Sequence, residues 1–240
     1  MNRKKLSTRM GDPETPPRVT RAMVRDGWNQ LSMLYRPPGA TRFPTGHTDR
    51  LYGVWLAPIM KELPKGAPVL DLGCGCGVPA TRILARRFQV TGVDLSDVQI
   101  ARARELVPSA RFRRSDMSRV RFPPGSFQAV VSFYAIFHLP LKEQYPLLKR
   151  IYRWLTPGGY FVAILGAGRY KGVDKGWLGS DTWMYWDHVD ADTYQRWLEK
   201  IGFVVELSAF VPEKGSGGHQ LFRLRRPSDS SPSPRRHREQ

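Results

Sequence analysis

Residues 68–77 read Pro68-Val69-Leu70-Asp71-Leu72-Gly73-Cys74-Gly75-Cys76-Gly77. The apolar run is short and gives way to glycines at alternate positions. This is the pattern of a buried strand that delivers its carboxyl end into a sharp loop. Ala80, Ile83 and Leu84 follow at helical spacing, so a helix opens behind the loop. Phe88 to Asp94 reads as a second strand. It ends in an acid roughly twenty residues after the loop, where a ribose-binding carboxylate belongs. Glycine turns the chain sharply and lets a ligand touch the backbone. The Asp94 carboxylate can accept hydrogen bonds from both ribose hydroxyls. A dinucleotide fingerprint would place a glycine three positions after Gly75, and the chain has Val78 there. Asp71, at the tip of the first strand, complements a cation better than a phosphate.

Working outward, Val24, Trp28, Leu31 and Tyr35 share one face of a helix over 21–35, which Pro37-Pro38-Gly39 ends. A second helix covers 49–63, with a kink at Pro58. Ser96 and Gln99 form a capping-box pattern that opens a helix after Asp94. Strands are expected at 111–114 and 127–134, then a helix over 142–155, stopped by Thr156-Pro157-Gly158-Gly159, and a strand over 160–165. A last helix starts at Asp190 as N-cap and ends at Gly202. Strands at 203–210 and 219–225, with glycines between them, suggest a closing hairpin and an antiparallel edge. Alternating strands and helices predict an α/β fold: a doubly wound, mainly parallel sheet covered on both faces.

The chain has 240 residues, with 38 Lys and Arg against 21 Asp and Glu, a formal charge of +17. Such a field attracts nucleic acid, anionic surfaces or acidic small molecules, and equally serves as a solubilising surface. Residues 1–20 and 227–240 read as disordered basic tails flanking one domain at 21–226. Arg102, Arg104, Arg111, Arg113, Arg114, Arg119 and Arg121 place further charge inside that domain. Cys74 and Cys76 are too close in sequence for an ordinary disulfide, and two thiols alone make no structural zinc site, so no metal is expected. The basic start is not followed by an apolar stretch, and Phe127 to Leu141 is too short to span a bilayer. A cytoplasmic protein is the resulting expectation.

Val69 to Gly77 resembles motif I of the class I S-adenosylmethionine-dependent methyltransferases, the broad type 11 family. Val93-Asp94-Leu95-Ser96 is similar to that family's ribose segment. Ser115-Asp116-Met117 is similar to the segment that meets adenine, where the acid bonds the exocyclic amine. Phe127 to Ser132 resembles its fourth strand, Phe137-His138-Leu139 the turn after it, and Leu155 to Gly159 the helix end before strand five. The resemblance is close over 69–165 and loose over 183–203. It implies a Rossmann-like, seven-stranded, mostly parallel sheet with one antiparallel edge strand and a helical N-terminal lid. It also implies S-adenosyl-L-methionine as cofactor, held by Asp71, Gly73, Cys74, Gly75, Gly77, Asp94, Leu95, Asp116, Met117 and Ser132.

The methyl on a sulfonium is already activated, so the protein mainly supplies placement and electrostatics. A base is needed only if the acceptor must lose a proton. His138 and His188 are the candidates, each equally compatible with a packing role. Trp183, Tyr185 and Trp186 lie where the family often places substrate-facing residues, and Trp28, Tyr35 and Tyr134 are candidates to close over the cofactor. Ser132-Phe133-Tyr134-Ala135 lacks the prolines of amino-methylating nucleic-acid enzymes. Both cysteines lie in the loop, away from where a cytosine-C5 enzyme keeps its nucleophile, and an iron–sulfur triad is absent. A small-molecule acceptor leads. An RNA- or protein-modifying enzyme using the basic surface and a non-catalytic cofactor-binding module are the alternatives.

Overall fold

The computed structural model describes residues 16–44, 46–213 and 216–228. Most of each expected basic tail lies outside these residues.

Two helices come first, α1 (Arg21–Tyr35) and α2 (Asp49–Glu62). Pro58 sits inside α2. Strand β1 (Pro68–Leu72) leads through the glycine loop into the short α3 (Ala80–Leu84). Then come β2 (Gln89–Asp94), α4 (Asp97–Leu106), β3 (Arg111–Arg114), β4 (Phe127–Ser132) and α5 (Leu141–Trp154). Strand β5 (Leu155–Gly166) starts directly at the end of α5, so Thr156 to Gly159 are strand rather than loop. A hairpin of β6 (Tyr170–Lys175) and β7 (Trp183–His188) follows, then α6 (Ala191–Ile201), β8 (Val204–Val211) and β9 (His219–Arg225).

The main sheet has seven strands in the order β3-β2-β1-β4-β5-β9-β8. Strands β1 to β5 pair in parallel, and the β8–β9 hairpin supplies the antiparallel edge, with β9 reversed against both neighbours. Alternate side chains feed opposite faces. Val69, Val90, Val131 and Val162 pack with α2 and α3 on one side, and Leu70, Leu72, Val130 and Phe161 pack with α5 and α6 on the other. Burial on both faces explains why these strands read as unbroken apolar runs. β3 is the exception: an edge strand whose arginines face solvent, a charge pattern that discourages edge-to-edge pairing.

The caps of α6 are as read. Asp190 accepts from the Thr193 N–H at 2.8 Å, and Gly202 closes α6 at φ +115°. Ser96 accepts from the Gln99 N–H at 3.0 Å, but the Gln99 side chain does not complete a capping box. It accepts instead from the Ser32 hydroxyl of α1 at 2.9 Å, joining α1 to α4. Arg102 strengthens the same joint, donating from Nη1 to the Ser32 hydroxyl (2.7 Å) and from Nη2 to the Arg36 carbonyl (2.6 Å). This arginine is therefore structural and not part of a free basic surface. Strand order reverses between β1 and β4, so a crevice opens at their carboxyl ends.

Candidate active site

The glycine loop forms the floor of the crevice. Gly73 adopts φ +74° and donates its N–H to the Val93 carbonyl at 2.7 Å. A Cβ at this position would lie 2.2 Å from the Ala135 Cβ, so only a hydrogen fits between the loop and the turn after β4. Asp71 and Asp94 line the resulting cleft together with Gly73, Cys74, Gly75 and Leu95.

Asp71 is buried and Asp94 half-buried. Burial pushes Asp71 up to about 7, against a single 2.6 Å bond from the Thr81 hydroxyl. Asp94 is also pushed up by burial, partly offset by backbone N–H groups. Gly75 donates to Oδ2 and Ser96 to Oδ1, each at 2.9 Å. Each oxygen keeps a lone pair for further donors. No cationic side chain contributes to either shift, so the pair suits a ligand that brings hydroxyls and positive charge.

Helix α1 forms the opposite wall with Arg21, Val24, Trp28 and Tyr35. Arg21 donates to Asp116 Oδ2 at 2.9 Å and, with its other arm, to Glu143. The covered cleft has a cavity of about 120 Å³.

Next to it lies a chamber of about 480 Å³. The two share Trp28, Tyr35, Tyr134 and His138 as a common wall. Trp177, Trp186, Tyr170 and Phe137 make the chamber aromatic, and His188, Glu213 and His219 give it ionisable groups. Tyr134 holds a left-handed backbone (φ +56°), a strained conformation for a non-glycine residue. Its hydroxyl lies 2.9 Å from Nδ1 of His47.

His138 is buried in the shared wall. Its Nδ1 lies 2.7 Å from the Tyr185 carbonyl, which requires the proton there and leaves Nε2 as a lone pair. That Nε2 is buried without a hydrogen-bond partner. Burial lowers the imidazole to about 4, the carbonyl contact opposing it, so the ring is neutral near pH 7.

Most of the residues expected to hold the cofactor surround the cleft: Asp71, Gly73, Cys74, Gly75, Asp94, Leu95, Asp116 and Met117. Gly77 and Ser132 do not line it. Gly77 packs toward Val107 and Phe112, and the Ser132 hydroxyl donates to the Leu72 carbonyl at 2.8 Å inside the sheet. Of the expected substrate residues, Trp28, Tyr35, Tyr134, Trp186 and His188 line the chamber. Trp183 and Tyr185 do not, because β7 alternates. Trp186 and His188 face the chamber, whereas the Tyr185 hydroxyl turns to Asp187 Oδ2 at 2.7 Å and the Trp183 ring meets Lys175. Glu213, His219, His47 and Trp177 were not picked out from sequence. His219 carried one signal, a histidine opening a strand that closes the sheet.

Among the described residues, no His, Cys, Asp or Glu cluster could hold a metal, and no helix is long and apolar enough to cross a membrane. Both cysteines are free.

Residues 69–159 match a family described as a methyltransferase domain. A 2-methyl-6-phytyl-1,4-hydroquinone methyltransferase of Synechocystis is 38% identical over 131 residues, covering 52% of this chain and 40% of that protein. A 27-O-demethylrifamycin SV methyltransferase of Amycolatopsis mediterranei is 33% identical over 119 residues, 47% of this chain and 41% of the relative. The chain thus matches about two fifths of the length of these relatives. The crystal structure of the cyclase SpnF superposes with a TM-score of 0.67 at 18% identity, over 90% of this chain and 98% of that one. At that identity the likeness is one of fold alone, and a fold hosts more than one chemistry.

Proposed function

We propose, from the premise that residues 69–159 are a class I S-adenosylmethionine-dependent methyltransferase domain, that the whole chain methylates a small molecule seated in the aromatic chamber. One observation carries this reading. The cleft built from the glycine loop and the chamber meet across a wall of four side chains, Trp28, Tyr35, Tyr134 and His138. A donor on one side and an acceptor on the other is the arrangement that direct transfer needs.

In this reading Asp94 takes the ribose hydroxyls, and Asp71 faces the cationic end of S-adenosylmethionine. Asp116 and Met117 border the adenine. Bound there, the cofactor supplies an electrophilic methyl. The chain's own residues orient the acceptor against it and exclude water. The His138 lone pair is a hydrogen-bond acceptor for the incoming substrate, and His188 borders the far side of the chamber. The relatives named for a hydroquinone and a rifamycin support a small, ring-bearing acceptor.

The test is transfer of labelled methyl from S-adenosylmethionine to a panel of quinols, phenols and amines, with an RNA pool and a basic peptide as comparators. Transfer to small aromatics is expected. Transfer to RNA or peptide alone would overturn the assignment of acceptor class.

A further inference from the structure

Resting on that reading, we propose that Glu213 and His219 form a carboxylate–imidazole dyad that takes the proton from a hydroxyl of the acceptor, so that the chain is an O-methyltransferase of phenolic or enolic substrates. Glu213 lies two residues after β8, and His219 opens β9. Glu213 Oε2 lies 2.8 Å from His219 Nδ1, within ion-pair distance, although the geometry does not make this a regular hydrogen bond. The Glu213 side chain is only 6% exposed, and the Ser216 hydroxyl donates to it at 2.9 Å. Burial pushes this carboxyl up, but His219, Ser216 and His47 outweigh burial and hold it below its ordinary value. It is therefore an anion, and among the described residues the groups that pair with it are both histidines.

The imidazole is fixed on its other sides as well. Its ring stacks on Phe137 at 5.1 Å and meets the edge of Tyr134 at 5.1 Å. With Nδ1 turned to the carboxylate at ion-pair distance, Nε2 is the nitrogen left for the chamber that His219 lines. An oriented base with a buried anion behind it is the arrangement by which a hydroxyl is activated. His138 is placed differently. It sits in the shared wall without a carboxylate partner and resists protonation. It can accept a hydrogen bond but is a poor resting place for a proton. Glu213 after β8 and Tyr134 after β4 contact His219; His47 before α2 pairs with Glu213, and His138 after β4 and His188 on β7 line the same chamber.

The step balances. The acceptor O–H proton passes to His219 Nε2, and the oxygen lone pair forms the new bond to the methyl carbon. The carbon–sulfur bond breaks with its electrons left on sulfur. The products are a methyl ether, neutral S-adenosylhomocysteine and an imidazolium beside the Glu213 carboxylate, which then loses its proton to solvent.

The test uses 4-nitrophenol, whose phenolate absorbs in the visible, bound to the full chain saturated with S-adenosylhomocysteine. At a pH where the free probe is mostly protonated, the bound probe is expected as phenolate. His219→Gln is expected to lower the bound phenolate-to-phenol ratio about tenfold, one pH unit of proton affinity, and Glu213→Gln to lower it in the same direction. Because His219 does not line the cofactor cleft, S-adenosylhomocysteine affinity should hold in both variants and serves as the check of folding. In the unsubstituted chain, nitrogen-15 spectra of the His219 ring should change to the imidazolium pattern as probe is added. An unchanged ratio in His219→Gln, a ring that stays neutral, or absence of probe binding while S-adenosylhomocysteine binds would each overturn the dyad and leave the methyltransferase reading standing. Failure of the unsubstituted chain to bind S-adenosylhomocysteine would sink that reading, and the dyad with it.

Discussion

Arg21 on the lid helix donates from Nε to Oδ2 of Asp116, 2.9 Å away in the loop after β3. The acid expected to meet the adenine amine is thus one of the groups, with Glu143, that tie the start of α1 down. In the proposed reading a ligand at Asp116 would share or displace the arginine, coupling its entry to opening of α1. The side chains are 27% and 12% exposed, so the pair itself contributes about 0–1 kcal/mol. Arg21→Met should therefore cost little in thermal stability, yet speed S-adenosylhomocysteine release by about two- to fivefold, the same energy expressed as a rate. Stopped-flow displacement checks this. Slower release would show that Arg21 obstructs the exit and does not secure it.

The parts of the site legible in sequence are those that local rules specify. A strand, a glycine turn and an acid at the next strand end are neighbours in the chain, and the turn permits few residue types. Asp71, Gly73 and Asp94 were readable for that reason. Glu213 and His219 were not, because their meaning comes from the β8–β9 hairpin carrying them beside Tyr134 and Phe137, which lie far away in sequence. The β6 strand was invisible for another reason. Tyr170-Lys171-Gly172-Val173-Asp174-Lys175 has little apolar alternation and exists by pairing with β7. Gln99 shows how tertiary structure overrides a local motif: its amide bonds Ser32 of α1 and leaves the box it could have closed.

Asp94 binds two backbone donors and still presents free lone pairs to the cleft. Asp94→Ala removes the acceptor proposed for the ribose hydroxyls and leaves the Gly75 and Ser96 N–H groups unpaired. Stranding buried polar partners costs about 1–3 kcal/mol, so affinity for S-adenosylhomocysteine should fall by about five- to 150-fold. Isothermal titration giving an unchanged constant would remove Asp94 from the ribose site.

Asp71 makes a pH prediction with a definite sign. Its ordinary value is 3.8, and burial raises it to about 7 in the folded chain. Between those values the native state holds a proton that the unfolded chain has released. The contribution of this group to stability is therefore present at low pH and lost as pH rises towards about 7. A cationic ligand works the other way, because it favours the carboxylate. S-adenosylmethionine, whose sulfonium charge is fixed, should bind more tightly at about pH 8 than at about pH 6. Asp71→Asn should flatten that dependence. Equal affinities at the two pH values in the unsubstituted chain would mean that the carboxyl does not face the positive charge.

Strand β7 offers a control within a single element. Trp186 and Trp183 are three residues apart on an alternating strand, so they point to opposite faces. The Trp186 ring lies 4.6 Å from that of His138 in the chamber wall, and its indole N–H is buried without a hydrogen-bond partner. Trp183 instead carries Lys175 above its ring at 5.8 Å. Trp186→Ala should weaken binding of 4-nitrophenol by about 1–2 kcal/mol, the scale of one aromatic contact with its buried area, while leaving S-adenosylhomocysteine affinity intact. Trp183→Ala should leave both within about twofold, as a residue outside the cavity does. Equal losses of probe affinity in the two variants would mean that the hairpin acts as a unit, and that the chamber wall is not where a ring-bearing acceptor is held.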